Sequence, residues 1–438
     1  MKKTIIVILF LLFGITHSFA QSKLNYQKVN ELSLIYYYAS EWDSLISIGI
    51  SAEKENIDYY YLNYRMAVAY FFKENFYTST YFFEKAYRQN ALAIKDDYFR
   101  LIYYKALLFS KQNNKIFGIS NLNDTIFDIY EAPYKGEVDL FYLNANATAL
   151  INQEDLRFSK NNVYSETYYQ QSISMFGLGA NLFVNKNLKF DLRYSHAKLG
   201  LVAAIENLDY FYIRNFSIQQ NSFNLKPTVF LANNHQIDIY ANISLLNGNI
   251  FGPTDTLLKE FDYLHTKKSS FSGGFAYSYL YKNFNFGINT AFSNYSSEDN
   301  VQFGVSVIWY PKGNLNLYTL TEASVFKNSD NKPRLIIYQK IGLALSDKLW
   351  VELSGFYGDV HNYINIGSNY SFEIANHTYG IAGAKLIYTL NPKFSLFIDN
   401  QYWWRYTDRK QIEFDNSEKT DIINYQQFNL IGGIKWNF

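Results

Sequence analysis

The last eleven residues, FNLIGGIKWNF, constrain the fold of this chain more than any other segment. In an extended chain Phe428, Leu430, Gly432, Ile434, Trp436 and Phe438 share one face, and Asn429, Gly433, Lys435 and Asn437 share the other, with Ile431 as the exception. One face suits lipid and the other water, and a strand of that kind has a use only within a closed sheet that spans a membrane. The same split recurs upstream. Segment 174–184 sets Phe176, Leu178, Ala180, Leu182 and Val184 against Gly177, Gly179 and Asn181, and 188–195 sets Leu188, Phe190, Leu192 and Tyr194 against Lys189, Asp191, Arg193 and Ser195. Further copies lie at 237–245, 271–281, 301–309, 315–325, 349–357 and 394–406.

The separators fall into two classes. Short turns occur at 185–187, 233–235, 282–283, 312–314, 346–348 and 391–393, all rich in turn-forming residues. Long polar insertions occupy about 152–165, 201–218, 252–266, 361–376 and 408–424, and shorter outer connections fall near 297–300 and 328–332. Short periplasmic turns alternating with longer outer loops make an outer-membrane pattern. Six short turns, plus a first strand at about 139–150 and a last at about 425–438, predict about fourteen strands with both ends on the periplasmic side. On the first strand Phe141, Leu143, Ala145 and Ala147 oppose Tyr142, Asn144, Asn146 and Thr148. Tyr277, Tyr279 and Tyr281, Trp309 and Tyr310, and Tyr402, Trp404 and Tyr406 mark aromatic girdles, while Trp436 and Phe438 resemble the terminal signal read by the barrel-insertion machinery. A secreted β-sandwich would also alternate, but with a polar outward face and fewer Tyr and Trp at strand ends.

The region before the barrel has another period. Lys2 and Lys3 precede an apolar run from Ile5 to Ile15, and Ser18-Phe19-Ala20 completes a secretory signal with cleavage before Gln21. The run is too short for a membrane anchor. Between Leu24 and Lys115 there is no Pro, and apolar residues recur at helical spacing. Segments around Tyr36, Tyr70 and Tyr104 repeat at 34 residues. Met66-Ala67, Tyr70, Phe76, Phe83 and Ala86 form the clearest copy; Tyr36, Trp42, Leu45 and Ala52 form a weaker one, and the third loses a clear second helix after Lys111. This pattern resembles tetratricopeptide repeats, and the resemblance implies paired helices whose first members line a concave face. The matching positions are Tyr37, Tyr38, Tyr61, Tyr64, Phe71, Phe72 and Tyr98, which would hold an extended peptide or a glycan by stacking, or pack between helices.

The expected fold class is therefore α+β and multidomain: a signal peptide at 1–20, periplasmic repeats at 21–118, a linker at 119–138 and an antiparallel transmembrane barrel at 139–438. This order resembles the exopolysaccharide-export outer-membrane proteins and the repeat-plus-barrel group that includes the YaiO-like proteins.

Composition narrows the function. With 40 Lys+Arg against 39 Asp+Glu and no basic block, nucleic acid is not the expected partner. Zero Cys removes disulfides, thiolate metal sites and a Cys nucleophile. The six His fall outside any metal spacing, so no cofactor or metal is expected, and no phosphate or dinucleotide loop is present. Ser195 and His196 are the one tempting catalytic pair, but neighbours on a strand point to opposite faces. A non-enzyme is expected. Glu298 and Asp299 read as a solvated turn.

Inward parity places Lys189, Arg193, Lys226, Lys340, Lys385, Arg405 and Lys435 in the lumen with Asp191, Asp238, Glu322, Glu352 and Asp399. Such charges line an aqueous path or pair and help to close it. The expected partners are outer-membrane lipid, the insertion machinery and a periplasmic protein or glycan. Two functions follow: repeats that dock a partner with the barrel as anchor, or a channel or exporter, of polysaccharide or small solutes, gated by the repeats.

Overall fold

The computed structural model describes residues 24–120, 135–147, 162–254, 260–295, 298–328, 332–365, 377–415 and 417–438. The expected signal peptide and most of the expected linker lie outside them. The chain divides into two compact units, one up to Ala106 and one from Leu107 onward.

The first unit is built from α1 (Tyr26–Tyr38), α2 (Trp42–Lys54), α3 (Tyr60–Phe72), α4 (Phe76–Gln89) and most of α5 (Asp97–Phe109). Asn25 and Asn75 cap α1 and α4 by accepting the backbone N–H groups of Lys28 and Thr78. Helix α3 is central, with Leu62, Met66, Ala67, Val68 and Ala69 buried between its neighbours, and Ser79 on α4 donates to the Ala67 carbonyl at 2.7 Å. Of the expected helix-packing positions, Leu45, Ala52, Met66, Ala67, Phe83, Ala86 and Tyr104 are buried, while Tyr36, Trp42, Tyr70 and Phe76 are half-buried. After Lys111 a short helix, α6 (Asn113–Ser120), does form where the sequence showed no clear second helix. It belongs to the second unit, where Lys115 hydrogen-bonds Asn234 and the Phe117 ring lies 5.4 Å from Phe183.

The second unit is a closed barrel of fourteen antiparallel strands. They are β1 (Gly136–Ala147), β2 (Asn162–Asn185), β3 (Leu188–Asn207), β4 (Phe211–Phe230), β5 (His235–Pro253), β6 (Phe261–Tyr281) and β7 (Phe284–Ser293). Then follow β8 (Asn300–Trp309), β9 (Leu317–Asn328), β10 (Arg334–Ala344), β11 (Leu349–Tyr357), β12 (His377–Asn391), β13 (Phe394–Glu413) and β14 (Glu418–Asn437). Each strand pairs with its sequence neighbour, and β1 closes on β14 from Glu137 opposite Asn437 to Ala147 opposite Gln427. Closure leaves no sheet edge within the lipid. The strand number, the six short turns and the lipid-facing side of β14 agree with the sequence reading. The first strand begins at Gly136, three residues inside the expected linker.

Three of the expected outer loops are instead strand. Residues 201–218, 252–266 and 408–424 lie largely within β3–β4, β5–β6 and β13–β14, which run 19 to 21 residues against 9 or 10 for β7, β8 and β11. A strand crosses the bilayer in about ten residues, so the long ones stand well beyond it. On β3 the extra length is packed on both faces. Ala203 and Ile205 on β3 cluster with Tyr164 and Phe251, while Val202 and Ala204, on the other face, cluster with Tyr169 and Tyr425. At this level β13 also pairs directly with β2, from Arg409 opposite Thr167 to Glu413 opposite Asn162.

On β1 the apolar face points inward. Phe141, Leu143 and Ala145 form a buried cluster inside the barrel with Ile173, Met175, Ala197, Leu199 and Phe397, and Ile431 packs against it. The one apolar residue that broke the inward pattern of β14 thus has an apolar seat. Tyr310, expected in an aromatic girdle, is buried, with its ring 6.4 Å from Tyr318.

Candidate functional site

The pleat alone decides which side chains enter the lumen. All twelve expected lumen residues take the inward side: Lys189, Asp191, Arg193, Lys226, Asp238, Glu322, Lys340, Glu352, Lys385, Asp399, Arg405 and Lys435. Near the short-turn end they meet partners in a network. Arg193 bridges Asp139 at 2.9 Å and Asp191 at 3.2 Å, and Lys226 approaches Asp191 at 4.0 Å. Lys435 pairs with Glu137 at 2.9 Å, and Asp238 accepts a hydrogen bond from Thr228.

Higher up, one level of the wall is divided in two. Register aligns Glu352, Lys385, Asp399, Ile431, Leu143, Met175 and Ala197 from β11 round to β3. The first three are charged and the next four apolar. Lys340 pairs with Glu352 at 3.6 Å, the Tyr318 hydroxyl donates to Glu352 at 2.7 Å, and the Lys385 ammonium sits 4.5 Å from the centre of the Phe397 ring. An internal cavity of about 390 Å³ lies between these arcs, lined by Lys340, Glu352, Lys385 and Asp399 and by Leu143, Met175, Phe356, Phe397, Trp403 and Ile431.

The connection after β11 turns into the barrel. Gly358 adopts φ +109°, and a Cβ there would lie 2.3 Å from the Leu335 carbonyl oxygen, so only glycine admits this turn. Val360 packs with Phe326 and Ile336, and Ile364 reaches Tyr240, Ala291 and Tyr295 on the far side. The Tyr363 hydroxyl donates to Glu322 at 2.9 Å. Gln302 on β8 grips Ile364 through both of its backbone groups.

Asp359 anchors the base of this segment. It receives Arg334, His377 Nδ1 at 2.7 Å, the His361 backbone N–H at 3.0 Å and the Tyr406 hydroxyl at 3.4 Å. Burial alone would raise its carboxyl, but the hydrogen bond from His377 and the charge of Arg334 hold it well below the usual carboxylate range. Burial and the positive neighbours His377, Arg334 and Arg405 push His361 down to about 4, against the opposing pull of Asp359. Arg405 is fully buried between the Trp403 and Tyr425 rings and donates to Gln427.

Sequence reasoning passes over Glu137, Asp139, Arg334, Asp359 and Tyr363. Asp139 and Glu137 follow once the apolar face of β1 is assigned inward; for the segment 358–365 nothing local gives the signal. Ser195 points inward and is buried, whereas His196 points outward and meets Asn221 Oδ1 at 3.0 Å.

On the helical unit, the Tyr37, Tyr64 and Phe99 rings run in sequence across α1, α3 and α5, with centroids 6.1 and 5.8 Å apart. Tyr38, Tyr61, Phe72 and Tyr98 are exposed, Tyr38 at 78%. Phe72 stacks on Trp42 at 4.9 Å, and Phe71 lies 5.6 Å from Phe76.

No family model matches the sequence, and no curated protein does. Among solved structures the barrel is similar in shape to a FadL homologue of Pseudomonas aeruginosa (9% identity, 69% of this chain and 90% of that one, TM-score 0.46). It is similar also to the toluene transporter TodX of P. putida (7% identity, 72% and 93%, TM-score 0.46) and to a bacterial polysaccharide outer membrane secretin (10% identity, 69% and 98%, TM-score 0.33). Similarity of this degree says nothing of cargo.

Proposed function

We propose that this chain is an outer-membrane channel for small amphipathic solutes, with segment 358–365 as its constriction. The observation that carries the reading is an internal cavity that mixes charged and apolar lining, with one level of its wall running from Glu352, Lys385 and Asp399 to Ile431, Leu143 and Met175 and with Asp139, Arg193 and Lys435 also facing it. A barrel that served only as an anchor has no use for a lumen divided in this way. A solute with an apolar body and a polar head satisfies both walls, leaving neither buried charge nor apolar surface unmatched. Beyond Val360 the inward segment is fastened by the side chains of Gln302 and Glu322, while Gly358 and Val360 are tied to β12 by backbone bonds to the Tyr379 and Thr378 carbonyls. The test is conductance and solute uptake by the purified full chain in bilayers and liposomes. A small steady conductance that grows when residues 360–364 are replaced by a short Gly-Ser linker supports the reading; silence of both forms sinks it.

A second reading concerns the helical unit. The Tyr37, Tyr64 and Phe99 ladder and the exposed Tyr38, Tyr61, Phe72 and Tyr98 suit an extended peptide of a periplasmic protein. Crosslinking of the full chain in cells, with Tyr38→Ala and Tyr61→Ala as controls, tests it. Identical capture by wild type and variants would refute a role for this face.

A further inference from the structure

The outer wall carries a feature that the channel reading does not use. Across β2 to β6, Leu178, Ala180, Leu192, Phe223, Leu225, Ala241, Ile243 and Phe271 surround an open groove of about 480 Å³ on the lipid-facing side. Its floor is low because Ala180 and Ala241 flank Leu192 and Leu225 in one cross-strand row. The next row toward the long-loop end, Tyr194, Phe223, Ile243 and Phe271, is apolar except for the Tyr194 hydroxyl, which donates to Asn221.

Above it the character changes within two rows. His196, Asn221, Leu245 and Ser269 align, and then Lys198, Gln219, Asn247 and Lys267. On β3 the turn to Lys198 covers residues 188 to 198, the length at which a tilted strand leaves the hydrocarbon. Lys198 and Lys267 are both exposed, and neither makes an ion pair among the described residues. The first acidic side chain further along that face of β3 is Glu206. Three strand spacings separate the two lysines, about 14 Å.

An apolar groove that opens into lipid and ends under two unpaired cations fits an anionic lipid. A single phosphate meets both lysines only if the two side chains lean inward over Gln219 and Asn247, whereas a sugar head with a phosphate at each end meets both while they stand outward from their strands. We propose that this face holds one diphosphorylated glycolipid of the outer leaflet, an acyl chain in the groove and one phosphate at each of Lys198 and Lys267. Gln219 and Asn247 lie between the lysines, where they hydrogen-bond the sugar hydroxyls.

Native mass spectrometry of the purified full chain, titrated with lipid A bearing both phosphates, with its monophosphorylated form and with phosphatidylglycerol, tests this. The expected result is one diphosphorylated lipid A per barrel, held about fivefold less tightly for each of Lys198→Gln and Lys267→Gln. The monophosphorylated form should bind about as weakly as a single lysine variant, and Ala241→Phe, which fills the groove, should weaken all three lipids. The lysine variants lie on an exposed face, and their heat-dependent gel mobility confirms a folded barrel. Equal retention by wild type and the double lysine variant overturns the proposal, and so does phosphatidylglycerol held as tightly as diphosphorylated lipid A.

Discussion

Gln302 and Ile364 are joined by a reciprocal pair of hydrogen bonds: Gln302 Nε2 donates to the Ile364 carbonyl at 2.8 Å, and its Oε1 accepts the Ile364 N–H at 3.0 Å. The side chain of a wall strand thereby serves a loop residue as a second strand would, and satisfies two buried backbone groups at once. Gln302→Ala leaves both unpaired, at a cost of about 1 to 3 kcal/mol for each group that water does not reach. The variant should keep a folded barrel and show larger or more frequent openings in single-channel recordings. Unchanged recordings would mean that the segment is held elsewhere.

The same segment should respond to acid. His361 has a folded value near 4 against about 6.5 when released, so the released form binds a proton first as pH falls. Docking is at full strength above pH ~6.5 and weakens toward pH ~4, by about 2 kcal/mol at pH ~5. The groups that set this are Asp359, His377, Arg334 and Arg405. The lowered Asp359 carboxyl works in the same sense, its contribution being present above the ordinary carboxylate range and lost only at lower pH. Hydrogen exchange over 358–365 should speed up between pH 7 and 5 after correction for intrinsic rates, and His361→Asn should flatten that dependence.

Phe397 is a load on the interior of the barrel rather than on its lipid face. It is buried against Phe141 and its cluster neighbours and supports the Lys385 ammonium. Phe397→Ala should cost about 3 to 5 kcal/mol, read as a lower urea midpoint for the loss of heat-resistant gel mobility. Little change would show that neighbouring side chains collapse into the space.

In the helical unit, Arg65 is buried and donates to the Asn30 carbonyl at 3.2 Å, to Asn30 Oδ1 at 3.0 Å and to Ser33 Oγ at 2.8 Å. Methionine keeps the length of the side chain and removes every donor. Arg65→Met should lower the melting of the helical signal of the full chain by about 1 to 3 kcal/mol while leaving the barrel's gel mobility intact. Loss of both together would make the two units one cooperative block.

The fourteen strands were legible because lipid and water impose opposite chemistry on alternate residues, and because 185–187, 282–283 and the other short turns punctuate them. The outer reaches of β3, β4, β13 and β14 were not; on β3 both faces are covered there. Leu201 to Ile205 is apolar throughout, and its neighbours in 206–218 and 408–424 are polar enough to pass for loop. The lumen charges followed from parity alone. The constriction did not, because its fastening points, Gln302 and Glu322, stand 62 and 41 residues from Ile364 and Tyr363, and only the closed ring brings them within reach. Ile431 shows how an exception in a pattern can itself be a signal, for it marked the apolar arc of the lumen.

The junction of β1 with β14 is the seam of the ring, where the first strand of the barrel meets the last. It is short, ending at Ala147, and above it β13 reaches over to grasp β2, with Thr407 also donating to the Tyr168 carbonyl. The rim is thus hooped by a strap whose two ends belong to strands that are not neighbours in the wall below. Parting the seam from beneath would leave the hoop closed, so the outer rim keeps its ring independently of the β1–β14 joint.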